Sequence, residues 1–287
     1  MFTARIENSN GELLTLTGYE PAYQVIYILG LNPPSAQLNL STMVGLDGAK
    51  FNSSKLNTRN IVLTVRINGN VEQNRLNLYK YFPTKEPVKF YYQNDTLDVY
   101  IEGYVENVEC DYFVNGEMAQ ISIVCPQPYF KSIDEIIADS SNTFAKFHFP
   151  FSINIDEPVV ISTIDDNESI VINNASESST GALINVDVKE TINSIEIKNT
   201  TTGDDMTLNY AFQSGDLIVI NTNKGSKSIV LIRGGVSYNL FAAMRQGSEF
   251  IQLRQGENVI DYTCDGGSTH DEAVTITFRY SLCYRGV

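Results

Sequence analysis

Two prolines separated by one residue interrupt a strand pattern near the middle of the chain. The segment that leads to the prolines alternates apolar and polar side chains, as a half-buried strand does. Pro126 and Pro128 then remove two backbone donors and fix φ, so a central strand must end there. We therefore predict that a first domain ends just beyond these prolines and that Pro126 and Pro128 form an interdomain hinge.

The stretch after the prolines is typical of a crossing between two domains. Residues 131–146 are mixed in character and rich in Ser and Asn, and a new apolar run follows them. With 287 residues, 43% of them hydrophobic, the chain can fill two cores. The predicted organisation is a first domain at residues 1–130, a linker at residues 131–146 and a second domain at residues 147–287.

The second domain carries many short strand patterns and no helical one. The patterns follow one another at roughly ten-residue spacing, with Gly, Asn, Asp and Ser in the connections. This rhythm predicts a β-sandwich or jelly roll. The predicted strands are residues 149–155, 159–164, 169–173, 182–188, 194–199, 207–212, 216–221, 228–232, 249–253, 258–264 and 272–284.

The first domain combines strands with one helix. Asn70, with Gln73 three residues later, is a capping-box pattern that predicts a helix ending at Pro83. The region from Pro33 to Phe51 has the composition of a loop. The predicted strands are residues 2–6, 13–16, 23–29, 61–67, 88–92 and 97–101, and the helix has an apolar stripe of Val71, Arg75, Leu78, Tyr79 and Phe82. The fold class is thus mainly β, with two β-sandwich domains, the first containing one α-helix.

A hairpin is predicted at the Asn115-Gly116 dipeptide, the strongest two-residue turn signal. A two-residue turn there places Cys110 opposite Ile121. The apolar alternation slips by one residue between Val105 and Val108, which predicts a β-bulge.

The four cysteines are predicted to be free thiols. In the predicted hairpin register, Cys125 lies about 13 Å from Cys110, too far for a disulfide. Cys264 falls on an apolar strand face, whereas Cys283 falls on the polar face of the last strand. None of the cysteines has the CxxC spacing of a metal or redox site, so the pattern favours a reducing compartment.

Charge and hydropathy exclude several classes of function. The net charge of −14 at pH 7 disfavours nucleic-acid binding, which depends on clustered Lys and Arg. No apolar run approaches the roughly 18 residues that span a bilayer, so we expect no membrane insertion. The first residues have neither the basic nor the apolar region of a secretion signal.

Residues with catalytic or metal-binding chemistry are few. The only histidines, His148 and His270, lie outside any catalytic or zinc motif. Residues 224–228 lack the spacing of a phosphate-binding loop. Asp-rich turns at residues 165–168 and 265–272 leave calcium binding open, although such turns are common for conformational reasons. We predict no catalytic, cofactor-binding or metal-binding residues and no enzymatic activity.

Several short segments occur in a characteristic order along the chain. They are residues 45–49 (GLDGA), 59–68, the helix ending in Tyr81-Phe82-Pro83, 101–105 (IEGYV), 123–130 (IVCPQPYF), 172–174 (INN), 195–203 (IEIKNTTTG), 214–222 (SGDLIVINT), 253–260 (LRQGENVI) and 284–287 (YRGV). In this order they resemble the distal tail protein (Dit) family of siphophage tail components over nearly the whole chain. After Asn174 the chain reads Ala-Ser-Glu-Ser-Ser where the family has a glycine-rich turn, a departure confined to that loop.

The resemblance implies a structural protein of the virion tail tip, assembled in the cytoplasm of the host bacterium. Its first domain is expected to form a homo-hexameric ring, and its second, galectin-like domain to face outward. The ring is expected to join the tail tube protein to the tail-tip protein, with receptor-binding proteins or a host carbohydrate as further partners. DNA is expected to pass through the ring without being held, and the acidic balance agrees with that.

Two other classes of function remain open. A carbohydrate-binding module or adhesin acting on cell-wall polysaccharide fits the second domain, whose sugar platform would rely on Tyr because the chain has no Trp. A glycosidase or esterase is the third class, since paired carboxylates need not be close in sequence. No motif nominates a catalytic pair.

Overall fold

The computed structural model describes residues 2–140 and 169–287 apart from residues 46, 113, 115 and 268–271, together with the backbone of two short strands between them. The chain forms two compact units. The first unit contains Met1–Ile133 and Cys283–Val287, and the second contains Asp134–Leu282. Each unit encloses its own hydrophobic core. The first unit is therefore discontinuous in sequence.

The first unit is built around one antiparallel sheet. Its strands lie in the order β2-β1-β7-β8-β9-β6-β3, and a parallel bridge between Thr17 and Gln24 joins the two end strands, so the sheet closes on itself. Two further strands, β4 and β5, form a separate hairpin. The bounds are β1 Thr3–Glu7, β2 Leu13–Leu16, β3 Tyr23–Leu29, β4 Ala36–Thr42, β5 Ala49–Leu56, β6 Arg59–Ile67, α1 Val71–Tyr81, β7 Pro87–Gln93, β8 Asp98–Cys110, β9 Met118–Cys125 and β10 Phe130–Asp139.

Helix α1 covers one part of this core. The Asn70 side chain accepts a hydrogen bond from the backbone N–H of Gln73 at 3.4 Å, as its capping pattern predicts. Leu78 and Phe82 are fully buried, while the opposite side of the helix is exposed. The Tyr23 hydroxyl donates to the carbonyl of Asn74 at 2.8 Å and ties the helix to β3. The predicted helix is confirmed.

The second unit has two antiparallel sheets around one core. One sheet has the order β13-β20-β15-β16, and the other has the order β19-β18-β17-β14-β21. Alternate residues of both sheets are buried, as expected for strands with one inward face. The bounds are β11 Thr143–Ala145, β12 Ser162–Ile164, β13 Ile170–Asn174, β14 Leu183–Val188, β15 Ile192–Asn199, β16 Asp205–Phe212, β17 Leu217–Asn221, β18 Ser228–Arg233, β19 Val236–Asn239, a 3-10 helix Phe241–Ala243, β20 Gly256–Cys264 and β21 Val274–Tyr284.

Three segments differ from their predicted structure. The region from Pro33 to Phe51, predicted as a loop, contains β4 and the start of β5. Residues 249–253 form only an isolated bridge between Leu253 and Thr180 instead of a strand. The segment predicted as a linker begins as strand β10. The strand predicted at residues 149–155 and the first half of that predicted at 159–164 lie outside the described residues, and the second half of the latter is β12.

The connection between β8 and β9 is longer than the predicted two-residue turn. Cys110 pairs with Ala119 instead of Ile121, and β8 ends at Cys110 whereas β9 begins at Met118. Just after β8, Tyr112 lies under the guanidinium of Arg75, which is 4.8 Å from the centroid of the tyrosine ring. The predicted bulge is confirmed just after Val105.

None of the four cysteines forms a disulfide, as predicted. Cys283, however, is buried, although the alternation of β21 predicted a polar environment. The alternation holds from Val274 to Tyr280 and then shifts, because Ser281 and Leu282 are both half-buried and Cys283 already belongs to the first unit. Strands β20 and β21 do not pair with each other, since they lie in different sheets.

The mainly β fold with one α-helix is confirmed. Among the described residues, no helix is long and apolar enough to cross a bilayer.

Candidate functional site: an exposed hairpin on the first unit

The hairpin of β4 and β5 is the most exposed regular structure of the first unit. Apart from the half-buried Leu56, every residue of its two strands is exposed. The two strands pair only with each other. A lone two-stranded hairpin is at best marginally stable in water, so this one needs a partner surface. We call residues 36–56 the arm.

The arm has one apolar face. Directly opposed residues share a face, and the pair Leu40 and Phe51 lies on the same face as Leu38, two residues along β4. These three side chains keep 51–56% of their surface exposed. The other face is polar and carries the pairs Gln37–Lys55, Asn39–Ser53 and Ser41–Lys50.

The tip of the arm extends this apolar surface. Met43 and Val44 are both exposed there, beside the turn glycine Gly45. A large exposed apolar patch rimmed by polar residues is typical of a protein interaction site. The arm lies in the region predicted as a loop, although Leu38 and Leu40 alternate with polar residues and glycines follow at the turn. That alternation was the available signal.

A second apolar patch lies on β3. Ile26, Tyr27 and Leu29 are exposed, and Leu29 pairs with the half-buried Val62 of β6. We call these three β3 residues the β3 strip. The first unit thus carries two different apolar patches, the arm and the strip.

A buried arginine lies at the base of the arm. Arg59 is only 3% exposed, and its guanidinium stands over the Phe130 ring at 4.5 Å from the centroid. It donates to the carbonyls of Gly30 and Asn32, where the chain enters the arm. Burial lowers the pKa of Arg59, while the nearby Cys125 thiol acts in the opposite direction.

The predicted hinge residues lie between β9 and β10. Pro126 is exposed, whereas Pro128 is half-buried and its carbonyl accepts a hydrogen bond from Nε of Arg59 at 2.8 Å. Both prolines belong to the first unit. Their role as a hinge stays a prediction.

In the second unit, two exposed tyrosines flank an arginine. The Arg233 guanidinium lies 5.8 Å from the Tyr210 ring centroid, and Tyr238 also lies near it. Arg233 is paired with the buried Asp216 through Nη2 and Oδ2 at 2.6 Å. Hydrogen bonds from Arg233 are the main cause of the lowered pKa of Asp216.

The structure gives no metal cluster for the part of the chain that it describes. The two histidines, the turn at residues 165–168 and residues 268–271 of the turn at 265–272 lie outside that part. Residues 224–228 belong to the turn between β17 and β18 and the start of β18, as expected for a hairpin. The sequence motifs are not brought together into a reactive site among the described residues.

The acidic charge is concentrated in the second unit. By sequence, the first unit has 11 basic and 13 acidic residues, a net charge of −2, and the second has 9 basic and 21 acidic residues, a net charge of −12. The overall acidity therefore does not support the expected like-charged channel through a ring of first units.

Two protein-family models match the sequence. Residues 25–125 match the phage tail protein RIFT-related domain, and residues 175–281 match the C-terminal domain of the siphovirus-type tail component. Among curated proteins, none matches the sequence.

Solved phage structures share the fold over nearly the full length. The Dit (gp 19.1) protein of phage SPP1, described as a paradigm of the hub adsorption apparatus in phages infecting Gram-positive bacteria, aligns with a TM-score of 0.68 at 16% identity, covering 98% of this chain and 99% of its own. A chain of the phage p2 baseplate, activated with Sr, aligns at 0.59 and 12% identity over 97% and 98%. The p2 baseplate activated with Ca aligns at 0.54 and 12% identity over 98% of both chains.

The two family models cover both halves of the chain in the predicted order, and the likeness of fold extends across both units. The chain belongs to the distal tail protein (Dit) family of siphovirus tail components.

Proposed function

We propose that this protein is the baseplate hub of a phage tail. Six copies form a closed ring that joins the tail tube to the tail-tip and receptor-binding components and lets DNA pass. Family membership and the likeness to SPP1 Dit and to p2 baseplate chains support this function. The proposal of a ring rests on one observation, which is that the apolar face of the arm is exposed.

A second copy of the chain is the natural partner of the arm. Closing a ring requires a heterologous interface, in which two different patches of the same protein meet. The arm and the β3 strip are two such patches. A seven-residue strand such as β4 extends about 23 Å, long enough to lie along the surface of a neighbouring subunit. Burying Leu38, Leu40 and Phe51 in this way removes their apolar surface from water.

In this arrangement the domains have different roles. The first domain, residues 1–130, forms the ring, and the second, residues 147–287, faces outward toward receptor-binding components. The linker at residues 131–146 and the hinge at Pro126 and Pro128 belong to the same proposal. Because the Pro128 carbonyl accepts a hydrogen bond from Arg59, we expect the hinge motion to occur in the residues that follow Pro128.

Substitutions on the arm test the ring. In the full-length protein, L38S combined with L40S should abolish oligomerisation, measured by sedimentation at high concentration and again with the cognate tube protein. The matched control is Q37A combined with N39A, on the polar face of the same strand, which should leave the oligomer intact. Because both variants change exposed residues, both should remain folded. Equal oligomerisation of both variants would overturn the role of the arm.

A second candidate function rests on the tyrosines beside Arg233. Exposed aromatic rings can stack on sugars, so a cell-wall polysaccharide is the corresponding ligand. A monomeric full-length chain that binds such a polysaccharide, and loses binding in Y238A, would favour a carbohydrate-binding module over the hub. The same binding by an intact oligomer would make it an additional property of the hub.

A further inference from the structure

The last segment of the sequence packs onto the first unit, far from its neighbours in sequence. Residues 283–287, which we call the tail segment, follow the second unit in sequence but belong to the first. Cys283 is buried, and Tyr284 and Val287 pack against the core of the first unit. The first unit is therefore complete only when this segment has docked.

The tail segment contacts the base of the arm directly. We define the arm base as residues 30–35, which link β3 to the arm. The backbone N–H of Val287 donates to the carbonyl of Leu31 at 3.1 Å. Gly286 lies so close to Pro33 that a Cβ atom on it would stand 3.0 Å from Cδ and 3.1 Å from the backbone nitrogen of Pro33.

Arg59 connects the same two segments from the other side. Its Nη1 donates to the carbonyls of Gly30 and Asn32 in the arm base, the latter at 2.7 Å. Its Nη2 donates to the carbonyl of Arg285 in the tail segment at 2.5 Å. One planar guanidinium thus holds the arm base and the tail segment together.

The burial of Arg59 makes this connection cooperative. Among the described residues, its hydrogen bonds all go to carbonyl oxygens, so the cation is stabilised by dipoles. A buried cation that loses an acceptor bears an uncompensated desolvation cost. If the tail segment leaves, Nη2 loses the Arg285 carbonyl, and the bonds from Arg59 to the arm base weaken with it.

We propose that Arg59 and the tail segment form a lock that fixes the arm base, and that the arm is held in its assembly-competent position only while the tail segment is docked. The consequence for assembly rests on the proposed ring. Since residues 283–287 are synthesised after the whole second unit, a chain that stops before them has an arm whose base is not fixed. Such a chain is kept out of the ring.

Two substitutions in the full-length chain test the lock. G286V inserts a side chain against Leu31 and Pro33, and its matched control is G18V, because Gly18 has open space around it and no left-handed φ. R59K keeps the charge but loses the planar fork of donors, and its control is R66K, an exposed arginine on the same strand.

The primary readout is hydrogen exchange at the arm base. The N–H of Asn57 donates to the carbonyl of Ser35 at 2.9 Å, so a peptide covering residues 57–59 reports whether the base is fixed. We expect G286V and R59K to raise exchange there at least tenfold, with unchanged exchange in β8 and β9. Unchanged exchange at the arm base in G286V would overturn the lock, even if R59K unfolds.

The second readout separates the lock from the ring. If wild type forms the oligomer, G286V should lower the oligomeric fraction while G18V does not. An oligomeric G286V with raised exchange would overturn the link between the lock and assembly. If wild type is monomeric under all conditions, the proposed ring fails, whereas the exchange comparison still decides the lock.

Discussion

Gly30 lies so close to Asn60 that a Cβ atom on Gly30 would stand 2.1 Å from the Asn60 carbonyl oxygen. Gly30 also has a φ of +87°, a backbone conformation that residues with a side chain rarely adopt. We predict that G30A destabilises the protein by about 2 kcal/mol or more, since strain and a backbone clash add. Denaturant unfolding measures the loss, with G18A as the control. An unchanged midpoint for G30A would contradict the observed approach of the two strands.

The pair of Asp216 and Arg233 predicts a pH-dependent stability of the second unit. The pKa of Asp216 is lowered in the folded state, mainly by hydrogen bonds from Arg233, although burial opposes the shift. A depressed carboxyl pKa stabilises the fold above the unfolded value of about 3.9, and this contribution is lost as pH falls below it. D216N should therefore lower the melting temperature by about 3 °C at pH 7. The difference in melting temperature between D216N and wild type should become smaller below about pH 4. A difference that does not change with pH would contradict the stabilising role of the Asp216 carboxylate.

The four thiols should differ in reactivity. Cys110 is half-buried and the other three are buried, so Cys110 should react first in the native protein. Burial raises the pKa of Cys125 to about 12, against a smaller opposite effect of Arg59, so its thiolate is scarce and its reaction slowest. After unfolding without reductant, all four thiols should react with a thiol reagent. C110S should remove the fastest class, and fast labelling that persists in C110S would contradict this order.

A fragment of residues 1–133 should be less stable than the first unit of the full chain. It retains the closed sheet and α1 but lacks the tail segment, so Arg59 loses the Arg285 carbonyl. We expect hydrogen exchange in β6 and at the arm base to be faster in the fragment. A synthetic peptide of residues 281–287, added in excess, should slow it again, and a scrambled peptide is the control. Equal protection in the fragment and in the full chain would show that the tail segment contributes nothing.

Local sequence patterns predicted much of the fold. The capping of α1 by Asn70 depends on residues within one helical turn, and the strands around Ile61 and Ile172 follow the period-two alternation of a half-buried surface. Such signals require no knowledge of distant contacts. The order of these elements was enough to indicate the family.

Features set by distant contacts could not be predicted. The longer β8–β9 connection brings Tyr112 under Arg75 of α1, a contact between residues far apart in sequence that no local pattern announces. Burial of Cys283 depends on the return of the chain to the first unit. The arm was predicted as a loop because only Leu38 and Leu40 alternate with polar residues there, whereas β5 shows no alternation. A partner that covers the apolar face of the arm would explain why apolar residues stand there.

The mass of the full-length protein in solution tests the central claim most directly. Native mass spectrometry should be run at high protein concentration, and again with the cognate tube protein present, because assembly follows mass action. Six copies of the 32.0 kDa chain predict a species of about 192 kDa, lost in the L38S and L40S double variant and retained in the Q37A and N39A double variant. A single species of 32.0 kDa under both conditions would contradict the account.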